Sequence, residues 1–312
     1  MVHRIIGQEV LNFSKGSRPR SSLDDLSALI DWNEIEALLD EIHASARGEA
    51  AWPPLAMFKA LLLSVWYDLS DVRLAEALDD RTSFRLFCGF SRSEATPERT
   101  AFVRFRKALV ARELDRLLFR RVTVQLKAQA VTVKTGTIVD ATIIASASRE
   151  DDEARWVKHK NRKAIHGFKA HVGADVDTAL VEELSVTPAN VNDGKAGPAA
   201  LPDDPGETFA DSAYRGRHFS DAVRARGGTP RVAATGMWGR DEAEIRARLK
   251  AWNQPIHRVR GRIEKIFGTC KRSYGLRRMR WRGHAKATLQ VHLTAIAYNL
   301  KRTLSITSAR TA

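Results

Sequence analysis

Apolar side chains recur every three or four residues along the front of the chain, the spacing that gathers them on one face of a helix. Leu26, Leu29 and Ile30 make one such face, and Ile35, Leu38, Leu39 and Ile42 make the next. Pro53 and Pro54 open a helix carrying Leu55, Phe58, Leu62 and Val65, and Asp71 begins another with Val72, Leu74, Ala75 and Leu78. Phe84, Leu86, Phe87 and Phe90 predict a short element closed by Gly89. Thr96–Pro97 predicts a helix start, an N-cap followed by proline at the first helical position. That helix turns Phe102, Phe105 and Leu109 inward and carries Arg99, Arg104, Arg106 and Lys107 on its other side. Residues 1–22, with the breaker Ser14–Lys15–Gly16–Ser17–Arg18–Pro19, are expected to be a loose arm.

Near residue 130 the apolar period drops to two. Thr135–Ala145 is rich in valine, isoleucine and threonine and Gly167–Val176 alternates, so both read as strands. Val181–Thr187, Glu207–Asp211 and Arg231–Ala234 read as further strands, with helical segments at Gly216–Ala225 and Asp241–Ala251. Three hairpin-linked strands followed by alternating units imply an α/β fold, a mixed sheet flanked by helices and preceded by an all-α N-terminal domain. The divisions are 1–22 for the arm, 23–127 for the helical domain and 128–312 for the α/β domain with its basic C-terminal helices.

Charge adds a partner. The chain carries 51 Lys and Arg against 37 Asp and Glu, net +14, with an isoelectric point near 10.1. From Ile256 to Ala312 there are fourteen Lys or Arg and one acid, so nearly all of the excess lies in the last part of the chain. That asymmetry favours nucleic acid over a merely solvated basic surface. Cys88 and Cys270 are isolated, without zinc spacing, and read as core thiols in a reducing compartment. The apolar run Leu61–Trp66 is too short to span a bilayer, and the N-terminus lacks a signal-peptide core, so a soluble cytoplasmic protein is expected.

The candidate chemistry is three carboxylates. Asp140 lies in Ile138–Val139–Asp140–Ala141–Thr142–Ile143–Ile144, where a carboxylate in a β-branched run is half-buried and costly without a partner. Capping a turn is its plainer role. Asp211 closes Thr208–Phe209–Ala210–Asp211, at the C-terminal end of a strand, where open α/β sheets bind ligands. Glu264 belongs to a segment, Ile256–Arg272, that resolves into three helical stripes. Ile256, Val259, Ile263, Ile266, Phe267 and Cys270 form an apolar stripe; His257, Arg260, Glu264, Gly268 and Lys271 a second; Arg258, Arg262, Lys265 and Arg272 an outward basic third. Simple neutralisation of Glu264 by its neighbours contributes about 0.2–0.5 kcal/mol per pair. Gly261 and Gly268 each cost about 1 kcal/mol relative to alanine, which access for a backbone or nucleic acid explains better than stability. Carboxylates that converge repel one another unless a cation holds them, so Asp140, Asp211 and Glu264 suggest a divalent-metal site. With Arg260 and Lys271 beside them to hold a polyanion, they suggest phosphodiester chemistry.

These residues resemble those of bacterial insertion-sequence transposases of the DDE type, in the branch marked by Tyr-x2-Arg-x3-Glu-x6-Lys. Arg260, Glu264 and Lys271 match that motif at full spacing, with His257 at the tyrosine position. Val139–Asp140–Ala141–Thr142 is similar to the first-aspartate strand of the family and Phe209–Ala210–Asp211–Ser212–Ala213–Tyr214 to its second-aspartate segment. His166–Gly167–Phe168–Lys169–Ala170–His171 and Thr187–Pro188–Ala189–Asn190-x2-Asp193 resemble the strands between, and Trp52–Pro53–Pro54 with the helices to about Leu109 the preceding helical domain. The resemblance implies a ribonuclease-H-like domain in which Asp140, Asp211 and Glu264 are catalytic and hold two Mg²⁺ or Mn²⁺ ions. One ion would activate water to cut a strand at the element's end; the freed 3′-OH would then attack target DNA. Arg260, Lys271 and His257, with Arg258, Arg262 and Lys265, would hold phosphates. The implied partners are double-stranded DNA, as terminal inverted repeats and target, and a second copy of the chain.

Weaker candidates remain two-sided. Lys158, Lys160, Arg162 and Lys163 follow the first strand as either DNA contacts or a solvated loop. Arg277, Arg278, Arg280 and Arg282 around Trp281 suit backbone grip with base stacking, unless Trp281 is a core anchor. Asn190, Asp193 and Tyr214 either support the site or only organise turns, and His166, His171 and Asp175, on alternating strands, read as solvated or structural rather than zinc-binding. Three activities are compatible with the whole: a transposase, a metal-dependent endonuclease that cuts without joining, and a transposase-derived DNA-binding protein without chemistry.

Overall fold

The computed structural model describes residues 3–8, 21–42, 50–130, 134–158 and 163–311. The chain divides into two compact units: Met1–Gln129 with Ser273–Gly275 and His292–Ala312, and Ala130–Arg272 with Leu276–Val291. Among the described residues no helix is long and apolar enough to cross a membrane. Of the expected arm, residues 1–2 and 9–20 lie outside the described residues.

The first unit is helical: α1 (Ser22–Ser27), α2 (Trp32–Leu39), α3 (Pro54–Trp66), α4 (Asp71–Asp80), α5 (Thr82–Cys88), α6 (Arg99–Ala111) and α7 (Leu114–Ala130). Pro54 opens α3 as expected, and Gly89, at φ +90°, closes α5 in the left-handed conformation that glycine adopts without steric cost. Helix α6 begins later than expected: its N-cap is Glu98, and the Pro97 ring is buried ahead of it. Its basic side is also broken, because Arg106 turns inward and forms a bidentate pair with Asp71 at 2.6 and 2.8 Å. The last stretch of α11 (His284–Thr311) belongs to this unit rather than to the α/β domain in which 128–312 were grouped. The Trp66 indole donates to Ala297 O, His292 meets Asp115 at 2.7 Å, and Leu293, Ile296, Ala297 and Leu300 are buried. An apolar stripe that long finds its cover wherever helices offer it, which a sequence boundary does not record.

The second unit holds a six-stranded sheet among the described residues: β1 (Gly136–Ala145), β2 (Arg155–Val157), β3 (Ile165–Asp175), β4 (Val181–Pro188), β5 (Glu207–Ala210) and β6 (Thr229–Val232). Its order is β2-β3-β1-β5-β6, with β4 beside β3. Strands β1, β3 and β4 pair antiparallel, whereas β5 runs parallel to both β1 and β6. The short β2, not foreseen, covers one end of β3; at three residues with an exposed Trp156 it carries little periodicity to read. Helices α8 (Asp193–Ala196), α9 (Arg217–Ala225) and α10 (Glu242–Ser273) complete the unit. On one sheet face Val139, Leu201, Ala210, Tyr214, Phe219 and Val223 form a core.

Helix α10 runs 32 residues through Pro255, where a separate start near Ile256 was expected. Proline removes one amide and frees the carbonyl four residues back. That residue, Ala251, is exposed, so water can satisfy the freed oxygen and the helix continues. Ile256, Ile263, Ile266 and Cys270 are buried along it, as the apolar stripe requires, while Val259 and Phe267 are half-buried.

Candidate active site

Strand pairing brings the two aspartates together. In the parallel β1–β5 register Val139 pairs with Ala210, so Asp140 and Asp211 are the next residues on neighbouring strands. Strands lie about 4.8 Å apart, which places the two carboxylates side by side. Asp211 leaves the sheet at that point and caps the turn Ser212–Tyr214, its Oδ1 accepting from Ala213 N at 2.9 Å. Asp140 stays in the strand, its Oδ1 accepting from Ala141 N at 2.8 Å.

Helix α10 supplies the charge between them. Arg260 Nη2 donates to Asp140 Oδ2 at 3.0 Å and lies 3.8 Å from Asp211 Oδ2. Burial raises the Asp140 pKa; Arg260 and the Ala141 amide oppose that, and the Asp211 charge adds to it. Burial works against the Arg260 charge too, but the pull of Asp140, with Asp211 and Glu264 behind it, outweighs burial and holds the guanidinium above its ordinary value. Arg260 Nε is buried without a hydrogen-bond partner. Below the pair lies Tyr214, fully buried with its hydroxyl unpartnered; burial and then the charges of Asp140, Asp193 and Asp211 push its pKa well up. Gly197 makes room for that ring, since a Cβ there would stand 2.6 Å from Tyr214 Cε1.

Glu264 stands on the same helix as Arg260, and its charge acts on that guanidinium. It is exposed, one turn beyond Arg260, about 6 Å further along the helix axis. Among the described residues no three carboxylate, imidazole or thiol side chains converge as a metal-holding set. Asp140 and Asp211 share the Arg260 guanidinium. A hard divalent cation still fits the Asp140–Asp211 half, because two oxygen donors already converge on one positive group.

Of the cations expected to hold phosphates, Lys271 is half-buried and donates to Ile143 O at 2.9 Å, while His257, Arg258 and Lys265 are exposed. Arg262 is not wholly outward: it bonds Val176 O and lies 4.0 Å from Asp177. A Cβ at Gly261 would meet nothing within 4 Å, so the helix is open there, and at Gly268 it would meet only the flexible Arg272 side chain. Lys158 and Lys163 are exposed; Lys160 and Arg162 lie outside the described residues. Arg278 donates to Ser146 O and Ala147 O, and Arg282 to Ser148 and Glu150, so both pin the segment after β1. Arg277 is exposed, and Arg280 and Trp281 are half-buried.

Asp193 binds Lys169 at 2.7 Å, and Tyr214 joins the carboxylates electrostatically, whereas Asn190 is exposed on a turn. Sequence reading passed over Lys169 and left His171 as structural without naming its partner, although both stand in the quoted His166–His171 segment. Both are buried, Lys169 against Asp193 and Val191 O, and His171 Nε2 against Thr187 Oγ1 at 2.9 Å. The signal was two ionisable residues in an otherwise buried strand, which need partners.

Residues 132–300 match the family model described as a transposase DDE domain, and residues 12–108 match a transposase domain, DUF772. The chain belongs to the DDE transposases. A cryo-EM structure of a piggyBac transposase synaptic complex with hairpin DNA is similar at TM-score 0.50 and 12% identity, covering 92% of this chain and 74% of that one. The fold is therefore the ribonuclease-H-like one that the resemblance implied, with a helical region preceding it in the chain.

Proposed function

We propose that this transposase cuts the ends of an insertion sequence and joins the freed 3′ ends to target DNA, in the branch marked by Arg260, Glu264 and Lys271 with His257 at the tyrosine position. The observation that carries it is the meeting of Asp140 and Asp211, 71 residues apart, at the ends of parallel strands beside a helix bearing Glu264. Asp140 and Asp211, with Glu264 from α10, would hold divalent ions, Mg²⁺ or Mn²⁺ and two per site. Bound there, such ions supply Lewis-acid stabilisation of phosphoryl oxygens and a nucleophile of lowered pKa.

The chain's own residues do the rest. Arg260 balances the two aspartates and presents a planar fork suited to a phosphodiester. Buried Tyr214 closes the turn that Asp211 caps, and Asp193 pairs with Lys169. Exposed Arg258 and Lys265, with exposed Arg277, line basic surface on which DNA strands can lie, and double-stranded DNA and a second copy of the chain are the partners this reading requires.

The test incubates purified protein and Mn²⁺ with labelled DNA carrying the element's terminal repeats and a supercoiled target. Nicked and joined products are the expected result; nicking without joining would leave an endonuclease. A DNA-binding protein without chemistry predicts retention of the DNA with neither product.

A further inference from the structure

Helix α3 is apolar almost all round, and every residue of it except Leu55 and Lys59 is buried. Those two stand one turn apart on one face, and both line a cavity of about 400 Å³ in the first unit. The uncovered face of α3 is therefore the cavity. Lys59 is also the one ionisable residue of the helix. A charge set in an apolar element is costly without a partner that can take its hydrogen bonds. Its ammonium lies 4.4 Å from the Trp32 ring centroid and 5.6 Å from that of Phe87. Among the described residues it has no hydrogen bond or ion pair. The rings attract the charge by about 0.5–2 kcal/mol but are no substitute for oxygen acceptors on its three N–H groups. Burial holds its pKa below the ordinary value, with Cys88 and then Glu36 opposing.

We infer that this cavity binds a small monocarboxylate with an apolar tail, its carboxylate on Lys59 and its tail against Ile6, Leu39, Pro53 and Leu55. The volume lies within the roughly 300–1,000 Å³ of pockets that enclose small molecules, and an apolar lining with a single charged anchor is the usual make-up of such a pocket. Glu36 and Asp40 also line it, but both are exposed, where water and salt screen them. Their presence favours a ligand with one negative charge over one with two. Arg4 supports the wall on the other side: its backbone N–H donates to Ala51 O at 2.8 Å, its Nε donates to Ala50 O at 2.9 Å, and its guanidinium stacks 4.2 Å from the Trp52 ring centroid. The site belongs to the helical unit and does not depend on the DNA chemistry proposed for the aspartates.

Sodium octanoate, titrated into the full chain by calorimetry without DNA, probes the cavity, with octylamine as the control of opposite charge. Wild type is expected to bind octanoate and not octylamine. Lys59→Met keeps the apolar stem and removes the ammonium, and should weaken octanoate by about tenfold or more. Leu55→Trp leaves the charge in place and fills the cavity, and should abolish binding. A second measurement needs no variant: reductive methylation of wild type, read peptide by peptide by mass spectrometry, should modify Lys59 several-fold more slowly when octanoate is present. Absence of wild-type binding up to millimolar octanoate overturns the site. So does an affinity of folded Lys59→Met within twofold of wild type, or octanoate binding that leaves the methylation of Lys59 unchanged. Equal binding of octylamine overturns the carboxylate assignment. Should Lys59→Met fail to fold, the methylation rates and Leu55→Trp still decide the question.

Discussion

Arg260→Gln is the most informative single perturbation of this molecule. It removes a positive charge 3.0 Å from Asp140 and 3.8 Å from Asp211 while keeping much of the side chain's length. The Asp140 and Arg260 side chains are only 14% and 20% exposed, so water screens the pair incompletely. At an effective dielectric near 20, unit charges at about 4 Å attract by roughly 4 kcal/mol before desolvation is counted. Removing one partner of a buried pair costs on the order of 3–5 kcal/mol. A pair at the mouth of a site should fall below that range, at about 2 kcal/mol. Without Arg260, burial and the Asp211 charge both favour the protonated Asp140, which caps the loss. Asp140→Asn in the same chain should therefore recover most of it. Hydrogen exchange of the β1 amides in EDTA reports opening of the second unit separately from the first. The double-mutant cycle of Arg260→Gln and Asp140→Asn should give a coupling above about 1 kcal/mol. A coupling under about 0.3 kcal/mol would refute the idea that Arg260 is the resident counter-charge of the aspartates. Mn²⁺ should also protect β1 more in Arg260→Gln than in wild type, because an ion would then meet two uncompensated carboxylates.

Four further outcomes follow from the geometry. Asp140→Asn, Asp211→Asn and Glu264→Gln should each lower DNA cleavage by at least about 10³-fold with duplex affinity kept within a few-fold, measured by gel assay and anisotropy; a variant cutting at wild-type rate does not belong to the site. Burial lowers the His171 pKa from 6.5 to about 4, with Asp193 opposing and Lys169 assisting. Because the unfolded chain then binds the extra proton between those values, stability falls as pH drops from 6.5 to 4, by about 3 kcal/mol, and levels off below; denaturation of His171→Gln against pH should lack that slope. Gly197→Ala should cost about 1–3 kcal/mol by pushing a Cβ into the Tyr214 and Phe219 rings, and should slow cleavage through the Asp211 turn; unchanged melting and rate would show that the ring moves freely. Burial pushes the Cys270 thiol up to about 12 and Cys88 higher still, so neither should react with a disulfide reagent at pH 8 until the chain is unfolded.

Periodicity alone located most of this protein. The helical faces before residue 110, the strands of the sheet and the buried stripe of α10 are local patterns, fixed by which side of a helix or strand each apolar residue occupies. Asp140 and Asp211 were legible for the same reason, as carboxylates set in or closing apolar strands where solvation is lost. Partners distant along the chain were not legible. Whether Arg260 or Glu264 faces the aspartates depends on how α10 is rotated and advanced over the sheet, and packing of Ile256, Ile263, Ile266 and Cys270 decides that. The continuation of α10 through Pro255 depends on an exposed carbonyl, and the grouping of the end of α11 with the front helices depends on partners such as Trp66 and Asp115. One dimension records which residues need company; only the folded chain determines whom they meet.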